Sequence, residues 1–108
     1  MTASLTDRAT IQMGELVVRF GRDMDELARW ELRQKEWCPI TVEMNGRTLD
    51  MQVISLVRFQ QETNDDWKSG RPAVIEVPTL IVESVDFDNV VAEVERLYRN
   101  GWFSGRLT

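Results

Sequence analysis

The chain of 108 residues contains no histidine. That absence removes the commonest general base, the commonest metal ligand and the usual proton switch near neutral pH. A single cysteine, Cys38, rules out an internal disulfide and fits a reducing compartment. With no histidine to draw off its proton, Cys38 reads as a buried structural thiol and not as a nucleophile. Long apolar runs are missing as well. Nothing approaches the ~20 apolar residues that a membrane helix needs, and Met1-Thr-Ala-Ser-Leu-Thr-Asp-Arg lacks the apolar core of a signal peptide. The expectation is a soluble, cytoplasmic protein that makes no membrane contact. Glycines are scattered and form neither the dinucleotide-binding fingerprint nor a phosphate-binding loop. No cofactor is implied, and no calcium-loop pattern surrounds Asp65-Asp66, so no metal site is assigned.

What is present is an acidic balance, net −5, with an uneven distribution. Residues 1–58 carry nine acidic and eight basic side chains, whereas Glu62 to Glu95 carries nine acidic against only Lys68 and Arg71. Nucleic-acid binding depends on clustered Lys and Arg neutralising phosphates, so a surface of this sign repels DNA and RNA. A basic protein is the electrostatically natural partner, and simple solubility is the plainer use of such a charge.

The length predicts one domain able to bury a core without metal or disulfides. Residues 1–9 are polar and read as a flexible N-terminus, with residues 10–108 as a single α+β domain. Ile11 to Phe20 reads as one strand with a bulge at Gly14. Asp23 with Glu26 forms a variant capping box, predicting a helix from about Met24 to Trp37 that stops before Pro39. Met24, Ala28 and Leu32 make one apolar stripe of that helix. Leu27, Trp30 and Trp37 add a flank, so its apolar arc is wider than one sheet face covers. Asn45-Gly46 is a strong signal for a two-residue hairpin turn. The register it sets pairs Ile40 with Met51 and Val42 with Leu49, apolar opposite apolar, and Thr41 with Asp50 on the other face. The second hairpin strand is expected to continue to Phe59 as a central strand or dimer surface. A polar loop from Gln60 to Arg71 follows. Ala73 to Val77 and Thr79 to Glu83 read as strand, split at Pro78 or lying at a sheet edge.

The last helix is the clearest element. Phe87, Val90, Val91, Val94, Leu97 and Tyr98 share one face of a 3.6-residue period. Asp86 is its N-cap, Val85 and Val90 form a hydrophobic staple, and Asn100-Gly101 ends it. Trp102 and Phe103 then return toward the body. The resulting order is β-α-β-β-β-α, a single antiparallel sheet of 4–5 strands with two helices on one face.

Two partial resemblances lead nowhere chemically. Asp86-Phe-Asp88 after an apolar strand resembles the D-x-D nucleophile motif of haloacid-dehalogenase-type phosphatases. That motif belongs at the end of the first strand of a much longer α/β chain, and helix capping with first-turn charge preference explains both aspartates here. The order α-β-β-β-α resembles that of double-stranded-RNA-binding domains, but the basic helix start those domains use is missing. No catalytic residue is assigned. The expectation is a non-enzymatic small acidic protein-interaction domain that binds a basic partner, as inhibitor and immunity-type proteins do. The residues expected to meet the partner are Trp67, Asp65 and Asp66 in the acidic loop, Asp88, Glu93 and Glu95 on the outer face of the last helix, and Trp30 on the first helix. Trp is favoured as an interface anchor, although a Trp folded back on the core is the ordinary alternative. A homodimer of uncharacterised role, or a small-ligand or carboxylate-based enzyme site on an open sheet face, are the other readings.

Overall fold

The computed structural model describes residues 10–107; the expected flexible segment 1–9 lies outside them. Within that span the elements are β1 (Thr10–Met13), β2 (Leu16–Arg19), α1 (Glu26–Lys35), β3 (Trp37–Met44), β4 (Arg47–Ser55), α2 (Leu56–Lys68), β5 (Thr79–Val82) and α3 (Phe87–Arg99). The strands form one mixed sheet in the order β1-β2-β3-β4-β5, antiparallel throughout except for the parallel β4–β5 pair. The α+β class is therefore as expected, and the wholly antiparallel sheet with two helices is corrected to a mixed sheet with three described helices.

The correction has one origin. Ser55 ends β4 and caps α2: its Oγ accepts from the Arg58 N–H at 3.1 Å and donates to Glu36 Oε1 at 3.0 Å. Apolar residues on both faces of Ile54 to Phe59 are the overlap of a strand period with a helical one, because Phe59, Thr63, Asp66 and Trp67 recur at helical spacing toward the sheet. The expected strand to Phe59 and the expected polar loop are thus a single helix. A helix between two strands returns the chain in the same direction, which is why β5 lies parallel to β4.

Two further expectations change. Ile11 to Phe20 is not one bulged strand but the β1–β2 hairpin, in which Met13 pairs with Leu16 across Gly14-Glu15. Gly14 takes φ +59°, and a Cβ there would lie 2.5 Å from the Tyr98 hydroxyl, which itself accepts from the Glu15 N–H at 3.1 Å. The N-cap of α1 is Asp25, whose Oδ1 accepts from the Ala28 N–H at 2.8 Å, and Asp23 has no part in it. Glu36 at φ 55° ends that helix, so Trp37 belongs to β3, where its Nε1 donates to Gln52 Oε1 at 2.8 Å.

The Asn45-Gly46 hairpin has the expected register, Ile40 with Met51 and Val42 with Leu49, and Thr41 Oγ1 donates to Asp50 Oδ1 at 2.9 Å. Both turn residues have positive φ, as a type I′ turn requires. For α3, Asp86 Oδ1 accepts from the Asn89 N–H at 2.9 Å, and Phe87, Val90 and Val94 are buried. Val85 is buried at the staple position, and Gly101 takes φ +78° after the helix.

One face of the sheet carries the core. Leu16 and Val18 of β2, Cys38, Ile40, Val42 and Met44 of β3, and Met51 and Val53 of β4 meet Ala28 and Leu32 of α1 and Phe87, Val90 and Val94 of α3. Phe103 and Leu107 close its end. Burial pushes the Cys38 thiol up to about 12, which fits the inert structural role read from the sequence. The other face is polar over β2–β4, with Arg19 paired to Glu43, and is crossed by α2 at the β4–β5 end.

Candidate functional site

Strand alternation sends Val53 into the core and Ile54 to the opposite face, where α2 covers it. Ile54 is buried, yet α2 itself buries no residue fully. Between α2 and the segment 73–75 lies an open cleft of about 240 Å³. Gln52 and Ile54 form its floor, Phe59 and Trp67 one wall, and Val74 and Ile75 the other. Ala73 to Val77 were expected to supply a half-buried or buried strand. Residues 71–78 instead lie outside any strand and are exposed along their whole length, tied at their ends by the Arg71 N–H to the Asp66 carbonyl and the Gln52 N–H to the Pro78 carbonyl; Pro72 and Pro78 bracket the run, and proline cannot donate to a ladder.

The consequence is an apolar surface that the core does not use. Trp67 is 64 % exposed, Val74 68 %, Ile75 54 % and Ile81 43 %. Scattered single apolar residues on a surface are ordinary, whereas several around one cleft mark a candidate contact surface. Glu62 and Asp66 line the same cleft. Each has its own arginine: Arg58 Nε lies 2.8 Å from Glu62 Oε2, and Arg71 Nη2 3.2 Å from Asp66 Oδ1.

The expected partner-binding residues are divided by the sheet. Asp65, Asp66 and Trp67 sit together in the last turns of α2. Trp30 is exposed on α1, with exposed Leu27 beside it, and Asp88, Glu93 and Glu95 are on α3; both of these helices pack on the core face. On α3 the charge is locally compensated, since Arg96 reaches Glu93 at 3.2 Å and Arg99 reaches Glu95 at 3.1 Å. Asp88 lies in the first turn, where the helix dipole favours it. Of the acids left outside these pairs, Asp65 lies in the last turns of α2, next in sequence to the cleft-lining Asp66, Glu76 is next to the cleft-lining Ile75, and Glu83 comes just after β5.

Val74, Ile75 and Ile81 were missed as surface residues because an alternating apolar run was read as buried strand. The signal that could have found Val74 and Ile75 is the bracketing proline pair in Arg71-Pro-Ala-Val-Ile-Glu-Val-Pro78; Ile81 lies in the expected strand, and its exposure follows from that strand's place at the sheet edge.

A second cavity, of about 210 Å³, lies between α1 and the start of β3, lined by Phe20, Met24, Leu32 and Cys38. Arg22 and Glu31 also line it, and they pair with each other at 3.1 Å. No group of three or more His, Cys, Asp or Glu side chains able to hold a metal ion occurs among the described residues, and none of their helices is long and apolar enough to cross a membrane. No protein-family model, curated protein or solved structure matches the chain.

Proposed function

We propose that the protein is a non-enzymatic interaction domain that binds a basic partner protein through the cleft between α2 and the 71–78 segment. The observation that carries this reading is the exposed group Trp67, Val74 and Ile75 around one cleft, with Ile81 exposed on the adjoining strand and Asp65 and Glu76 next in sequence to cleft-lining residues. Aromatic and aliphatic anchors in a pocket, surrounded by charge that selects and steers the partner, are the usual division of labour in a protein interface. An inhibitor or immunity-type role, covering the basic surface of another protein, fits this chemistry and a cytoplasmic setting.

The test is retention of a host protein on the immobilised chain at low and high salt, with Trp67→Ala and Ile75→Asp as parallel baits. The reading expects one partner whose retention falls with salt and is lost in both variants. Equal retention on all three baits overturns it.

A homodimer is the second reading, and the free outer edge of β5 is the observation in its favour. Two copies would bring like charges, Glu76 and Glu83, to the same seam. Sedimentation equilibrium decides: a monomer removes this reading, and a dimer broken by Ile81→Lys supports it.

A further inference from the structure

Resting on that reading, we infer that the partner binds as an added β-strand on the outer edge of β5, through an extended segment with an apolar centre and basic flanks. The edge is defined by the ladder. The Gln52 N–H donates to the Pro78 carbonyl at 3.0 Å, and Gln52 stands opposite Thr79. In a parallel ladder a residue bonds to the neighbours of its opposite number, so Pro78, Leu80 and Val82 turn their backbone polar groups toward β4. The N–H and C=O groups of Thr79 and Ile81 consequently point outward, and β5 ends the sheet among the described residues. Such an edge is a template for pairing with another chain.

The side chains say which segment fits. Thr79 and Ile81 share the face of Gln52 and Ile54, which is the face of the cleft. Thr79 Oγ1 is held by Gln52 Nε2 at 2.9 Å and itself donates to the Val77 carbonyl at 2.8 Å, so this end of the edge is preset. Ile81 is exposed and offers an apolar neighbour to every second residue of an added strand. Glu76 precedes the edge and Glu83 follows it, and neither forms an ion pair with another described residue. Lysine or arginine at both ends of the incoming segment would meet them. The same two acids disfavour a second copy of this chain at the edge, because self-pairing would crowd four carboxylates along one short seam.

The probe is a synthetic nonapeptide, Arg-Lys-Val-Thr-Val-Thr-Val-Lys-Arg, titrated into the full chain. An amphipathic Leu-Lys helical peptide of equal charge serves as comparator. Amide exchange of the protein is followed by NMR. The expected result is that the extended peptide binds and slows exchange at the Thr79 and Ile81 amides by at least ~10-fold. Ile81→Pro removes an outward N–H together with the Ile81 side chain while sparing the groups that bond to β4, and it should weaken binding at least ~10-fold; Ile81→Ala, which removes the side chain and keeps the N–H, should weaken it less, and Ile81→Val should bind as wild type.

Binding with unchanged exchange at Thr79 and Ile81 overturns the strand mode, as does tighter binding of the helical peptide. The wild-type exchange measurement decides even if Ile81→Pro fails to fold. If neither peptide binds, yet a host protein is still lost from the Trp67→Ala bait, the strand mode falls and the interaction reading stands. If that retention is also indifferent to Trp67 and Ile75, both fall.

Discussion

The two faces of the sheet obey different rules. On the core face, α1 and α3 bury Ala28, Leu32, Phe87, Val90 and Val94 against Val18, Ile40, Val42 and Val53. On the opposite face, α2 buries nothing fully and leaves Trp67 and the 71–78 segment in water. The first arrangement is what burial of apolar area produces when stability is the only demand. The second leaves apolar area in water around a cleft, whereas α1 leaves only Leu27 and Trp30 exposed on its outer side. Burial concentrates the fold on one side of the sheet, and the proposed recognition surface is the other.

The largest effect that can break this comparison is on the core face. Phe103→Ala removes a ring that is 1 % exposed and should cost about 3–5 kcal/mol in urea denaturation. Ile75→Ala on the other face should change stability by no more than about 0.5 kcal/mol, as exposed positions do. Equal losses would mean that the 71–78 segment belongs to the fold after all.

The next test concerns partner affinity. Trp67→Ala should weaken binding by about 2 kcal/mol, the scale of an interface anchor, while leaving the unfolding midpoint in place. Trp30→Ala, on the opposite side of the sheet, should leave affinity unchanged, and a loss there would move the contact to α1.

Ser55 joins the two regions and should give a smaller, shared effect. Its hydroxyl caps α2 and bonds to Glu36 at the end of α1, so Ser55→Ala should cost about 1–2 kcal/mol. Circular dichroism should show part of that loss as α2 fraying before the main transition.

The smallest effect is alkaline. The Cys38 thiol is raised in the folded state from 9.0 to about 12, so the folded protein holds this proton more tightly than the unfolded chain. Its contribution is fully present below pH 9.0, declines as the unfolded thiol ionises, and is lost as pH rises through about 12. Cys38→Ala should therefore flatten the fall in stability between pH 9.0 and about 12, and native Cys38 should resist alkylation until the protein unfolds.

Much of the core side was legible in the sequence because its signals are local. Asn45-Gly46 fixes a hairpin and its register, and Asp86, Val85 and Gly101 mark both ends of α3 through capping chemistry. The other side was misread for an equally physical reason. Leu56, Val57 and Phe59 continue a strand-like apolar run, and only the buried Ser55 cap switches the chain to helix. Alternation in Ala73 to Val77 describes a strand that has no neighbour to pair with, and pairing is a tertiary fact. The acids of α3 were visible, but their compensation by Arg96 and Arg99 depends on helical spacing that brings each pair together. Asp65, Asp66 and Trp67 stand out in the sequence and the cleft beside them does not, since its opposite wall comes from Val74 and Ile75, whose alternating run reads as a half-buried or buried strand.

The most direct test of the division between the faces is amide exchange of the free protein and of its complex with the captured host partner. Protection should rise in α2 and in residues 79–82, with β2, β3 and α3 already protected and unchanged. Protection that rises instead on α1 and α3, with α2 and β5 exchanging as in the free protein, would contradict the assignment of recognition to the α2 face.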